Sequence, residues 1–252
     1  MDNVVLLENV TAGYSSNAVL KNISAKFCAG KITVILGGSG CGKSTLLKTI
    51  LRLRPAMSGY IEVLGKNINS LNENEYEELL KDIGVLFQNG ALLNSLTLYE
   101  NVIMPLEQHT SLPWEVMDRM VRLQLEKVGL GKDLFKLPGE LSGGMRKRAA
   151  LARSIILNPE ILFCDEPSAG LDPITSAQLD NLLLEMKKQF NMSIIVVTHE
   201  ISSIQRIADD IVFLEDGRCV FSGPLEDALK ISFSVRDFFK AGENPREKAE
   251  AE

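Results

Sequence analysis

The order of apolar and polar positions along the chain divides it into short strands, amphipathic helices and polar connections. Residues 4–10 and 19–27 read as strands, separated by the turn-forming Gly13-Tyr14-Ser15-Ser16-Asn17. Ile32–Leu36 is a continuous β-branched apolar run, the pattern of a strand buried on both faces. Beyond it, Leu46, Leu47, Ile50 and Leu51 recur at helical spacing. Residues 60–64 read as another strand, closed by Gly65-Lys66-Asn67, so that a small, mainly antiparallel β layer accompanies the buried strand. Asn72–Lys81 is an acidic helix with Glu73, Glu75, Glu77 and Glu78 facing solvent, and Ile83–Phe87 is again a buried strand, with Gln88 at its carboxyl end.

A helical block is predicted over about 90–158. Thr97-Leu98-Tyr99-Glu100 has the capping-box form and opens a helix that Pro105 should kink or end. A second helix begins near Pro113, with Val116, Met120, Leu123 and Val128 as its apolar stripe and Gly129 and Gly131 at its end. Ser142 caps a third, running to about Leu157 and stopped by Pro159. The strand pattern then resumes. Ile161–Cys164 ends in Asp165-Glu166, Thr175–Phe190 is a helix, and Ser193–Val197 ends in Thr198-His199. Ile211–Leu214 follows, and Asp216-Gly217 before Arg218–Phe221 reads as a hairpin. No internal repeat or low-complexity segment is present. The charged tail after Gly242, residues 243–252, lacks apolar periodicity and is expected to be mobile.

Composition narrows this picture little. The 252 residues are 45% hydrophobic and 24% charged, ordinary for a globular α/β chain with a substantial core. A net charge of −6 argues against a general nucleic-acid or anionic-membrane binder. Cys28, Cys41, Cys164 and Cys219 form no C-x-x-C pair, which suits free thiols in a reducing compartment. The N-terminus does not read as a signal peptide, and no apolar stretch approaches the ~20 residues of a spanning helix. A cytosolic chain is expected, unless a partner brings it to a membrane.

Chemistry gathers at three places. Gly37-Gly38-Ser39-Gly40-Cys41-Gly42-Lys43-Ser44 satisfies G-x-x-x-x-G-K-[ST] between a strand and a helix, where its mechanism requires it. Glycines let successive N–H groups face one anion, and the helix N-terminus adds partial positive charge. Lys43 would reach the β- and γ-phosphates and the Ser44 hydroxyl would ligate Mg²⁺. Asp165 at the end of a buried strand is a further Mg²⁺ ligand, directly or through water, and Glu166 is a candidate base for the attacking water. Leu141-Ser142-Gly143-Gly144 offers a hydroxyl and two glycine N–H groups at a helix start, a second anion site. Two phosphate-gripping sites in one chain point to a head-to-tail pair that shares each ATP.

These motifs, in this order, resemble the ATPase subunits of ATP-binding-cassette (ABC) transporters over about residues 4–240. The resemblance implies an α/β P-loop NTPase (RecA-like) core with an antiparallel β layer and an inserted helical subdomain, one ABC ATPase domain over 1–242. It makes residues 37–44 the Walker A loop, Leu141–Met145 the signature, Ile161–Asp165 the Walker B strand and Ser168–Asp172 the D-loop. Carried over position by position, Lys43, Ser44, Thr45, Gln88, Asp165, Glu166 and His199 act on one Mg-ATP, with Gln88 also near the metal and Tyr14 stacking on adenine. Ser142, Gly143 and Gly144 would grip the γ-phosphate of the ATP held by a second copy. Cys41 takes part through its backbone, with a modifiable but non-catalytic thiol; His109 is bystander surface in a polar loop; Arg146, Lys147, Arg148 and Arg153 form a solvated helix face.

The stretch Gly90-Ala91-Leu92-Leu93-Asn94-Ser95-Leu96-Thr97, with Leu-Ser-Gly-Gly-Met at the signature, is similar to the MlaF-type ATPases of MCE-associated phospholipid transport systems. Amino-acid importer ATPases usually carry Gln where this chain has Met145. The likeness implies a permease docked near residues 88–102, an MCE-domain protein reached through the complex, no nucleic acid, and a place on the cytoplasmic face of the bacterial inner membrane. An amino-acid importer ATPase, a soluble cassette ATPase without a permease and a non-enzymatic regulatory cassette are the competing readings.

Overall fold

The computed structural model describes residues 2–14 and 17–242. In chain order the elements are β1 (Asn3–Tyr14), β2 (Asn17–Cys28), β3 (Ile32–Gly37), α1 (Lys43–Ile50), β4 (Ser58–Val63), β5 (Lys66–Asn67), α2 (Glu73–Leu80), β6 (Ile83–Leu86), α3 (Leu98–His109) and α4 (Trp114–Lys127). A 3₁₀ turn at Pro138–Glu140 precedes α5 (Gly143–Ser154), β7 (Ile161–Asp165), α6 (Pro173–Phe190), β8 (Ser193–Val197), α7 (Ile201–Ile207), β9 (Asp210–Glu215), β10 (Arg218–Pro224), α8 (Leu225–Ile231) and α9 (Phe233–Gly242). They fall into two compact units. One takes the described residues up to Ser70 together with those from Val197 onward; the other is Leu71–Val196. None of the described helices is long and apolar enough to cross a membrane.

In the first unit, β1 pairs antiparallel with β2 and with β4, and β5 adds a two-residue edge beyond β4. This is the expected antiparallel layer, though β1 and β2 are longer than the strands expected at 4–10 and 19–27. Strand β3 lies parallel to β9, with Val34 opposite Ile211 and Gly37 opposite Leu214. Every residue of β3 is buried, the burial on both faces that its unbroken apolar run predicts. The β9–β10 hairpin turns through Asp216 (φ 47°) and Gly217 (φ 74°), consecutive left-handed residues of the kind that match strand twist in a two-residue turn. Lys31 donates to both carboxylate oxygens of Asp210 at 2.9 and 2.8 Å, tying the start of β3 to the start of β9.

In the second unit, β6 runs parallel to β7, with Leu86 opposite Cys164, and β8 lies on the other side of β7. Both α2 and α3 begin with complete capping boxes. Asn72 and Thr97 each accept from the backbone N–H three residues on, while Glu75 and Glu100 reach back to the cap N–H. The segment predicted to be helical has its own core, in which Leu98, Val102, Ile103, Leu106, Val121, Leu125, Leu134, Ala149 and Ile156 are buried together.

Three local expectations need correction here. Of the two outcomes expected at Pro105, ending the helix does not occur: Pro105 lies inside α3, because Val102, Ile103 and Leu106 are buried on either side of it and tertiary packing outweighs one lost ladder bond. The inward face of α4 is Val121, Gln124 and Leu125, continued by Val128, while Val116 and Leu123 are 42% and 50% exposed. Of the predicted stripe, Val128 is buried and Met120 packs against the core, so the prediction holds at those two positions and fails at Val116 and Leu123. His109 is the exposed last residue of α3, not part of a loop. Helices α7, α8 and α9 and the small strand β5 were not foreseen. The tail at 243–252 lies outside the described residues.

Candidate functional site

The phosphate-loop candidate leaves β3 at Gly37 and enters α1 at Lys43. Gly37, Gly40 and Gly42 have φ of 145°, 77° and 107°, which L-residues rarely adopt. At two of these positions space also demands glycine. A Cβ on Gly37 would lie 2.1 Å from the Leu214 carbonyl oxygen, and one on Gly42 would lie 2.5 Å from Leu20 Cδ2. At Gly38 and Gly40 a Cβ would meet nothing within 4 Å, so these residues face open space. The loop lines a cleft of about 450 Å³ with Val19, Phe213, Leu214 and the β9–β10 turn. Lys43 Nζ donates to the loop's own carbonyls at Gly37 (2.8 Å) and Gly38 (2.9 Å), which holds the ammonium over the cradle. An open, N–H-lined curl carrying a lysine at a helix start fits a polyphosphate.

Cys41 is buried and its thiol pKa is raised by that burial, against the lowering influence of Lys43. The thiol expected to be modifiable is thus a packed one. Elsewhere in the same unit, the Thr198 N–H bonds the Ile35 carbonyl at 3.4 Å, which sets the segment carrying exposed His199 alongside β3. Tyr14 has the Arg54 guanidinium 3.7 Å from its ring centroid, and Arg54 also donates to the Gly13 carbonyl at 2.9 Å. One face of that ring is thus covered by an arginine.

The second unit carries the other motifs. Gln88 and Asp165-Glu166 leave the paired strands β6 and β7 at the same, carboxyl end. Asp165 is 8% exposed, and Glu166 has φ 46°, a left-handed backbone that a non-glycine residue keeps only when its surroundings impose it. Ser142 is the N-cap of α5, accepting from the Met145 N–H at 3.3 Å, with Gly143 and Gly144 opening the helix. Gly144 is required by packing as well: a Cβ there would lie 2.4 Å from Thr175 Cγ2 on α6. In the D-loop candidate, Asp172 caps α6, accepting from the N–H groups of Ile174 and Thr175 at 3.0 Å.

Of the basic residues of α5, Arg146 is exposed as expected, Arg148 and Arg153 are half-buried, and Lys147 departs from the expected solvated face. Lys147 is 7% exposed and donates to the carbonyls of Gln88 and Glu166. Arg153 donates to Gly90 and Ala91 at 2.9 and 2.8 Å, Arg146 to Leu141 at 2.7 Å and Arg148 to Val128 at 3.2 Å. All four are used on backbone carbonyls. The loop after Gln88 is also organised by Asn101, which is fully buried and was not singled out in the sequence. Its carboxamide accepts from the Leu93 N–H (2.8 Å) and donates to the carbonyls of Leu93, Leu96 and Thr97. The loop so fixed leaves Leu93 exposed, with exposed Phe87 just before Gln88.

Comparison with known proteins places the chain in a family. The ABC transporter family model matches residues 20–169. The chain is 38% identical over 91% of its length to the probable ribonucleotide transport ATP-binding protein mkl of Mycobacterium leprae, of which it covers 66%. It therefore spans just under two thirds of that relative. It is 36% identical over 90% of its length to the intermembrane phospholipid transport system ATP-binding protein MlaF of Haemophilus influenzae, covering 86% of it. With the methionine import ATP-binding protein MetN of Clostridioides difficile the identity is 37% over 89% of this chain and 70% of the relative. Among solved structures, a dimeric ATP-binding cassette in a post-hydrolysis state bound to ADP and Pi superposes with a TM-score of 0.80 at 30% identity, over 88% of this chain and 98% of that one. The chain belongs to the ABC transporter family, whose ATP-binding, ATP-hydrolysing cassette it forms.

Proposed function

We propose that this chain is the ATPase subunit of a transporter that moves phospholipid between bacterial membranes, working as a pair on the cytoplasmic face of the inner membrane. In this reading Lys43 and the N–H groups of residues 37–45 hold the β- and γ-phosphates, and Tyr14 stacks on the adenine. Glu166 takes a proton from the attacking water and His199 orients the γ-phosphate. Ser142, Gly143 and Gly144 grip the γ-phosphate of the second copy's ATP, so two ATP molecules close the pair. Ser44, Gln88 and Asp165 are the oxygen donors that would hold Mg²⁺, a hard cation that takes such ligands along with phosphate oxygens. The ion's chemistry is neutralisation of charge on the transferring phosphoryl group.

The observation that carries a transport role is the loop after Gln88. Asn101 and Arg153 fix its backbone, yet it presents Leu93 outward, with exposed Phe87 just before Gln88. A pre-organised loop with exposed apolar side chains suits docking of a membrane permease over residues 88–102, with an MCE-domain protein reached through that permease. The phospholipid cargo draws its support from the MlaF-like wording of residues 90–97, from Met145, and from the MlaF relative. The methionine import relative supports a second reading, an amino-acid importer ATPase.

Affinity purification of the Glu166→Gln chain with ATP in mild detergent, followed by mass spectrometry, separates the two. A multi-span permease with an MCE-domain protein is the expected result. A permease with a solute-binding protein selects the importer. Recovery of soluble partners alone removes the transporter reading and leaves the ATPase.

A further inference from the structure

Helix α5 carries one lysine in a place where lysines are rarely found. Lys147 is 7% exposed, and an ammonium so far from water needs acceptors around it. Two of these are main-chain oxygens on different loops. Lys147 Nζ donates to the Gln88 carbonyl and, at 3.2 Å, to the Glu166 carbonyl. The two loops leave neighbouring strands β6 and β7 at the same end. Because both acceptors are backbone atoms, the ammonium restrains main-chain geometry rather than a rotamer. One of the restrained residues, Glu166, holds the left-handed φ of 46°. The helix that delivers Lys147 begins at Ser142, five residues and about 7.5 Å of helix rise earlier. Farther along the same helix, Arg153 donates to Gly90 and Ala91, so α5 grips the loop after Gln88 at two points.

We propose that Lys147 is a positioning residue for ATP hydrolysis. One ammonium fixes the backbone of Glu166 and of Gln88 together, so that a displacement of the Gln88 loop is felt at the Glu166 carboxylate. The proposal rests on the roles given above to Glu166 and Gln88. It predicts a defect in turnover rather than in nucleotide affinity, because Lys147 acts on the base and not on the phosphate loop. Arginine, with several N–H groups on a planar fork, can serve two carbonyls at once; methionine can serve none.

The test uses the full-length chain in four forms: wild type, Lys147→Met, Lys147→Arg and, as reference, Glu166→Gln. Steady-state phosphate release is measured against ATP concentration, and amide hydrogen exchange is read by mass spectrometry over residues 84–92 and 164–170. For Lys147→Met, kcat should fall at least tenfold with KM within twofold of wild type, and both segments should exchange at least tenfold faster. Lys147→Arg should restore most of both. If the methionine variant does not fold, Lys147→Gln is judged by the same criteria. Turnover within twofold of wild type, a rise in KM that accounts for the loss, or unchanged exchange in the two segments overturns the proposal. Wild-type turnover in Glu166→Gln would instead overturn the role given to Glu166, and the exchange data would still decide whether Lys147 holds the two loops.

Discussion

At the scale of single residues, several positions that a motif explains by ligand chemistry also answer to packing. Gly144 belongs to the signature, yet its lack of a side chain is already demanded by Thr175 Cγ2, 2.4 Å from where a Cβ would sit. Gly143, whose Cβ would make an ordinary 3.5 Å contact with Leu171, has no such demand. Gly144→Ala should therefore destabilise the fold by about 1–3 kcal/mol, whereas Gly143→Ala should leave stability nearly unchanged. Adding Thr175→Ser, which removes the clashing methyl and keeps the hydroxyl bonded to Asp172, should recover much of the loss. Chemical denaturation of the three variants checks this, and equal destabilisation at both glycines would refute it. Lys147 shows the same principle from the charged side. Gly144, Lys147 and Leu151 share one helix face at spacings of three and four, and all three are buried. That spacing was legible in the sequence as a charge on an otherwise apolar stripe. What it could not reveal was the pair of carbonyls waiting for it.

At the scale of elements, caps and periodicity predict where helices start better than which face turns inward. The capping box at Thr97 and Glu100 was readable because all its partners lie within four residues. The inward face of α4 was not, since it depends on where α3 and α5 lie. The segment between β6 and α3 is held by Asn101, one buried side chain serving four backbone groups. Asn101→Leu keeps the volume but takes the partner from the Leu93 N–H and the Leu96 carbonyl, while the Leu93 and Thr97 carbonyls keep the N–H groups of Leu96 and Asn101, and should cost about 3 kcal/mol. A denaturation midpoint equal to wild type would show that the loop finds other partners. Charges at element ends also make stability depend on pH. Glu100 is held below the usual carboxylate range by bonds from Thr97, Asp118 by Arg122 and then Tyr99, and Asp172 by Thr175. A carboxylate whose folded pKa is depressed contributes stability above its unfolded value near 4, and that contribution is lost as pH falls through the folded value. Unfolding free energy should accordingly fall as pH drops below about 4, with a shallower fall in Asp118→Asn, as urea titrations across pH 2–6 would record.

At the scale of the whole molecule, the proposed function has ATP shared between copies, held by the phosphate loop of one and the serine-glycine helix start of the other. General-base catalysis contributes roughly 10²–10⁴-fold, so Glu166→Gln should lower phosphate release by at least ~100-fold while nucleotide still binds. With hydrolysis blocked, ATP should hold the 27.8 kDa chain as a dimer in light scattering, and ADP should release it. A variant that stays monomeric with ATP would count against the shared site.

The sequence by itself determined the phosphate loop, the Asp165-Glu166 strand end, the capped helix starts and the α/β character with an antiparallel layer. Each of these is written in residues within a few positions of one another, where backbone stereochemistry and local hydrogen bonds decide the outcome. Tertiary structure decided what depends on distant neighbours. It kept Pro105 inside α3, turned Val116 and Leu123 outward and withdrew the Cys41 thiol from solvent. It also set the α5 bases on backbone carbonyls and drew Lys147 to loops 59 and 19 residues away. Burial is a property of the packed chain, and it is burial that makes a charge seek particular partners instead of water.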